Sequence, residues 1–155
     1  MRFFAISPEA AGNLGNACVH GDITERPVQI HKADFEFQFW PHDDLLDGFF
    51  IYACSSELAA ALKTANLTGF ELAKLDVSFE ERFYQWAELH KDEQLPEFQW
   101  LQVNGRVGID DFGLVAGPVE TPLIVSERAL TILKQYKLSF CDIETYIPQK
   151  LSAAG

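Results

Sequence analysis

The chain has 155 residues, 48% hydrophobic and 13% aromatic, which excludes a disordered chain and suits one domain able to bury a core without disulfide or metal staples. Twelve Lys and Arg against 23 Asp and Glu leave a net charge of −11. That sign disfavours non-specific contact with nucleic acid or an anionic membrane surface, and it favours a basic partner.

Phe3 to Ile6 reads as a first strand, stopped by Ser7-Pro8. It is too short an apolar run for a signal peptide, and nothing approaches the ~18 apolar residues of a membrane span. A cytoplasmic protein is expected. Glu9 to Asn16 reads as a loop. Val28 and Ile30 alternate with Gln29 and His31 as a strand, and Phe35, Phe37 and Phe39 alternate with Glu36, Gln38 and Trp40 as another. Pro41 to Gly48 is an acidic loop carrying His42, Asp43, Asp44 and Asp47.

Phe49 to Ala53 is then an apolar run, with Ser55 or Ser56 as helix cap and Leu58, Leu62 and Ala65 on one helical face. Asn66 suits a left-handed terminator. Ser78-Phe79-Glu80-Glu81 fits a capping box opening an amphipathic helix, with Phe79, Phe83, Trp86, Ala87 and His90 as its core face. After a polar link, Lys91 to Pro96, comes a strand over Phe98 to Val103. Asn104-Gly105 signals a type I′ hairpin returning through Arg106 to Ile109. A loop holding Asp110-Asp111-Phe112-Gly113 and Gly117-Pro118 follows.

Leu123 to Val125 (strand), Ser126 to about Tyr136 (helix) and Phe140 to Ile147 (strand) complete the pattern, with Gln149 to Gly155 as a frayed tail. This late unit resembles the earlier one. Leu67-Thr68-Gly69-Phe70-Glu71-Leu72 stands against Leu138-Ser139-Phe140-Cys141-Asp142-Ile143, with the first helix one residue shorter. Two such units are too few for a solenoid but could be related halves. The expected class is α+β: one domain over residues 1–155, a mixed or mainly antiparallel sheet, and helices packed on it.

Catalytic patterns are weak throughout. His42-Asp43-Asp44 and the pair His31 and Asp34 offer hard metal-ligand types without a recognised spacing. Cys18 and His20 have no orienting third group. The letters Asp111-Phe112-Gly113 lack every other kinase element, and Glu80-Glu81 suit a first helical turn. Cys18, Cys54 and Cys141 are odd in number and far apart, so they read as small hydrophobes. No enzyme activity, no catalytic residue, no metal and no cofactor are expected. Trp86 reads as core, while Trp40 and Trp100 are the interface candidates.

Asp110-Asp111-Phe112-Gly113, Leu123-Ile124-Val125-Ser126-Glu127-Arg128-Ala129-Leu130 and Leu138 to Ile143 together resemble the C-terminal half of a bacterial immunity-protein family. The family serves polymorphic-toxin and contact-dependent secretion systems and includes the myxobacterial-type immunity domain. Ser55-Ser56-Glu57-Leu58 and Phe98-Gln99-Trp100-Leu101 are similar to its earlier units, so the resemblance spans Phe49 to Ile147. It implies an immunity protein that binds and neutralises a cognate, basic bacterial toxin by non-covalent occlusion. A second copy of the chain is a further candidate partner. Charge and expected exposure then nominate Asp43, Asp44, Asp47, Asp110, Asp111, Trp40 and Trp100 as toxin contacts, with loop substitutions leaving stability nearly unchanged. The rival expectation is a small cytoplasmic enzyme or ligand-binding module with an apolar pocket under the aromatic helix.

Overall fold

Residues 1–25, 28–115 and 122–147 are described by a computed structural model. The predicted tail from Gln149 and the Gly117-Pro118 loop lie outside them. Chain order is β1 (Phe3–Ser7), β2 (Glu9–Ala10), β3 (Gly12–Leu14), β4 (Val19–His20), β5 (Ile30–Lys32), β6 (Asp34–Phe37), β7 (Leu45–Asp47) and β8 (Tyr52–Ser55). Then come α1 (Ser56–Thr64), β9 (Phe70–Ala73), β10 (Asp76–Phe79), α2 (Glu81–Glu88) and β11 (Phe98–Val103). The chain closes with β12 (Phe112–Leu114), β13 (Leu123–Ser126), α3 (Glu127–Leu133) and β14 (Asp142–Tyr146). The class is α+β, with mainly antiparallel pairing and two parallel pairs, β2 with β7 and β6 with β10.

Two sheets repeat one plan. One runs β7-β8-β11-β9, with β2 added at its edge, and the other runs β12-β13-β1-β14. The hydrogen bonds correspond residue by residue. Phe98 faces Ser55 and Leu101 faces Tyr52 in the first sheet, as Phe3 faces Ser126 and Ile6 faces Leu123 in the second. Leu101 also faces Leu72, as Ile6 faces Ile143. Ser56 N–H donates to the Glu97 carbonyl at 2.9 Å, and Glu127 N–H to the Arg2 carbonyl at 2.9 Å.

The helix starts correspond too. Ser55 Oγ accepts from Leu58 N–H, and Ser126 Oγ from Ala129 N–H, each satisfying an amide that the first turn leaves open. With Ser55 as cap the two units align without a gap, and α1 is the longer helix, nine residues against seven. The first helix is thus longer than the second, not one residue shorter as expected.

The repeat is strand-exchanged. Strand β1, ahead of the first unit, pairs with β13 and β14 of the second. Strand β11, ahead of the second unit, pairs with β8 and β9 of the first. Leu58, Leu62, Ala129, Leu130 and Leu133 from α1 and α3 meet Ile6, Leu45, Cys54, Leu101, Leu123 and Val125 in one core shared by both sheets. The two halves therefore cannot be separated without opening both.

Alternation along β7, β8 and β11 sends Leu46, Ala53 and Trp100 to the opposite face, which is also buried. There a third sheet, β10-β6-β3, and Phe83 of α2 cover it with Phe35 and Phe37. These elements are insertions between the repeat's parts, and they build a second core on one side only.

Several predicted elements differ. Phe49-Phe50 is a turn, not the start of a strand. Glu9–Ala10, Gly12–Leu14 and Leu45–Asp47 form short strands where loops were expected. Asn104-Gly105 opens no hairpin: both amides donate to the Gly69 carbonyl, at 2.9 and 3.0 Å, and 106–110 forms a turn. The capping box at Ser78 is also replaced. Ser78 lies in β10 and its hydroxyl donates to Asp34 Oδ1 at 3.0 Å, while α2 is capped from Glu80 without a side-chain bond. Among the described residues no helix is long and apolar enough to cross a membrane.

Candidate functional site

The acidic loops hold the two repeats together. Asp43 Oδ1 accepts from Ser139 N–H at 2.9 Å, and Oδ2 from Phe140 N–H at 2.7 Å. Asp44 Oδ2 accepts from Lys137 N–H at 2.8 Å, and Asp44 N–H returns a bond to the Lys137 carbonyl at 2.9 Å. Thus the loop before β7 grips the chain leaving α3. Asp111, before β12, reciprocates: its Oδ2 accepts from Thr68 N–H at 2.9 Å, just beyond α1. Its Oδ1 accepts from Ser126 Oγ at 2.5 Å, and Arg128 Nη2 lies 2.6 Å from Oδ2.

Electrostatics divide these carboxylates. Burial pushes the Asp43 carboxyl up, more than its two amide donors and His42 pull it down. Burial also acts on Asp111, but Arg128, Ser126 and Thr68 hold its carboxyl at about 2. Asp110 Oδ2 accepts from Arg106 N–H at 2.6 Å, and Asp47 Oδ1 accepts from Phe49 N–H at 2.9 Å.

Of the seven residues nominated from sequence, Asp43, Asp111 and Trp100 are buried and Asp44, Asp47, Asp110 and Trp40 are half-buried. Trp100 packs in the second core. Trp40 lies flat between the rings of His90, 5.0 Å away, and Phe83, 5.8 Å away. Asp43 and Asp44 bind backbone amides 96 and 93 residues away, so reversing their charge breaks internal contacts. Stability would fall, against the sequence-based expectation.

The exposed aromatics lie elsewhere. On α2, Tyr84 and Trp86 are 60% and 41% exposed, and Leu89 just beyond it 76%. Glu81, Glu88, Asp92 and Glu93 are exposed on the same helix and the turns after it. Trp86, expected in the core, meets Phe39 edge-on at 6.0 Å and leaves its other side to solvent. Phe83 and Trp86, three residues apart, share one flank of the helix, while Tyr84 next to Phe83 points off it, which the sequence does show. Phe83 takes the core, Trp86 stays half-covered at its edge against Phe39, and Tyr84 faces out. Another exposed ring, Phe49 at 61%, tips the β7–β8 hairpin.

The nucleophile and ligand candidates have structural surroundings. Burial pushes the Cys54 thiol to about 12 and the Cys141 thiol to about 11, so both are protonated at neutral pH and pack as hydrophobes. Burial also raises Cys18. His42 Nδ1 lies 2.7 Å from Glu9 Oε2 and its ring rests on Phe140 at 4.5 Å. Among the described residues no group of three or more His, Cys, Asp and Glu side chains is placed to hold a metal ion.

No protein-family model and no curated protein matches this chain.

Proposed function

We propose that this chain is an immunity protein, a cytoplasmic binder that neutralises a cognate basic bacterial toxin by covering it. The observation that carries this reading is the solvent side of α2 and the turn after it, where Tyr84, Trp86 and Leu89 are exposed and the exposed acids Glu81, Glu88, Asp92 and Glu93 outnumber the exposed cations Arg82 and Lys91. Exposed aromatics with a charged rim are the usual anchors of a protein interface, and acidic rims speed capture of a basic partner. The net charge of −11 adds long-range steering of the same sign. The resemblance of Ser55–Leu58 and Val125–Leu130 to immunity-protein units supplies the partner class. Of the nominated aspartates, Asp43, Asp44 and Asp111 serve by tying the two repeats together.

Co-expression with the toxin domain encoded beside this chain's gene tests the reading. Growth rescue together with co-purification is the expected result; a lack of both overturns it. Reversing Glu81, Glu88 and Asp92 to Lys should slow association and flatten its salt dependence while leaving the melting temperature nearly unchanged. Unaltered association rates at low salt would remove the α2 face from the interface.

A further inference from the structure

The hairpin from β7 to β8 closes through residues that a tight turn ordinarily rejects. Gly48 N–H donates to the Ile51 carbonyl at 2.8 Å, which makes Phe49 and Phe50 the two central residues. Their φ angles are +58° and +79°. Two positive φ angles in a row are the pattern of a type I′ turn, which suits Asn-Gly because a Cβ in the left-handed region crowds the backbone. Two phenylalanines in succession there store strain, and stored strain that persists concentrates at functional positions.

Three further features meet at the same point. The Phe49 ring is 61% exposed, braced on Phe50 with centroids 4.2 Å apart. Beside the turn lies a cleft of about 320 Å³, walled by Ile6, Pro8, Tyr52 and Leu114 as well as both phenylalanines. Asp47 is the one charged side chain among the described residues lining it, and no cation among the described residues pairs with it. Burial raises its carboxyl above the ordinary range, the state of an anion held in partly apolar surroundings.

We propose that this hairpin tip is the recognition point for a basic side chain of the protein partner: an arginine or lysine enters the cleft, setting its charge on Asp47 and its aliphatic stem against Phe49. Long basic side chains bury their stems on apolar walls while the head keeps a polar contact. A phenyl face attracts the cation as well. An anion away from bulk water binds an arriving cation more strongly than a surface carboxylate does. Asn-Gly at 49 and 50 would close the same hairpin without strain, but it would remove two of the cleft's three aromatic rings and leave Tyr52 alone. The partner's nature rests on the reading of this chain as a binder of a basic toxin; the cleft's preference can be measured without any toxin.

N-acetyl-arginine amide is titrated into the full chain and followed by amide NMR shifts, with N-acetyl-norleucine amide as a neutral control of similar stem. The arginine probe should move the amides of Asp47, Phe49 and Phe50, and the control should not. Asp47→Asn keeps the acceptor for the Phe49 amide and should weaken the response at least tenfold. The double variant Phe49→Asn, Phe50→Gly should melt at a higher temperature and lose the response. Wild-type response in both variants, no response in the wild type, or shifts confined to other surfaces would overturn the proposal. The same variants then enter the toxin rescue assay. If wild type and variants all neutralise the toxin, the hairpin inference falls and the immunity reading stands. If the wild type fails to neutralise it but binds the arginine probe at Asp47, the immunity reading falls and the cleft stands.

Discussion

The carboxylate of Asp111 sits beneath Arg128, with the Ser126 hydroxyl on one oxygen and the Thr68 amide on the other. Its folded pKa of about 2 is below the unfolded value of about 3.9. Folding therefore favours the charged form. The stability this contributes, on the order of 2 kcal/mol, is full above the unfolded value and is lost as pH falls from about 4 towards 2. Asp111→Asn should lower the urea midpoint at pH 7 and flatten its acid limb; an unchanged acid limb would mean the carboxylate is not held low. Asp43 has the opposite sign. Its folded pKa is raised, so its titration contributes stability below the unfolded value that is lost as pH rises through the folded one. The letters Asp-Asp showed that acid was present at both loops. They did not show which side would be neutralised, because the partners lie far along the chain.

At the scale of elements, α1 and α3 are equivalent helices on a shared core, and equivalent substitutions should have comparable effects. Leu62→Ala and Leu133→Ala, both at fully buried positions, should each cost about 2–5 kcal/mol, and exposed Lys134→Ala should stay within about ±0.5 kcal/mol. Equal denaturant midpoints for the Leu133 and Lys134 variants would mean the helix faces are misplaced. The caps should differ. Ser55→Ala loses one amide acceptor, about 1 kcal/mol, whereas Ser126→Ala also removes a donor from buried Asp111 and should cost more. Both helix starts were legible because capping is local chemistry read within four residues. The short strands were not. Gly12 belongs to β3 because a Cβ there would lie 2.3 Å from the Glu36 carbonyl oxygen, a close approach set by a strand distant in sequence. The Asn104-Gly105 signal failed for the same reason, since Gly69 takes the amides a hairpin would have used.

For the whole molecule, the repeat was half legible. Leu67–Leu72 and Leu138–Ile143 carry similar side chains, but Phe3-Phe4-Ala5-Ile6 and Phe98-Gln99-Trp100-Leu101 share an apolar ring and an aliphatic residue at their ends and little between. Trp100 needs the second core to bury it; Ala5, its counterpart, has no such layer, so the two positions diverged with their surroundings. The exchange of β1 and β11 predicts that residues 1–92 and 93–155, cut within the polar link, fold only together. Co-expressed fragments should co-purify with native-like circular dichroism. A cooperative melt from residues 1–92 alone would contradict the exchange. The same exchange governs biosynthesis. Phe3–Ser7 leaves the ribosome well before its partners Leu123–Ser126 and Asp142–Tyr146. At about 5–20 residues per second the N-terminal strand waits roughly 6–25 s with both edges open. Open edges recruit other strands, so soluble yield should track the supply of holding chaperones during translation more closely than it tracks the finished protein's stability.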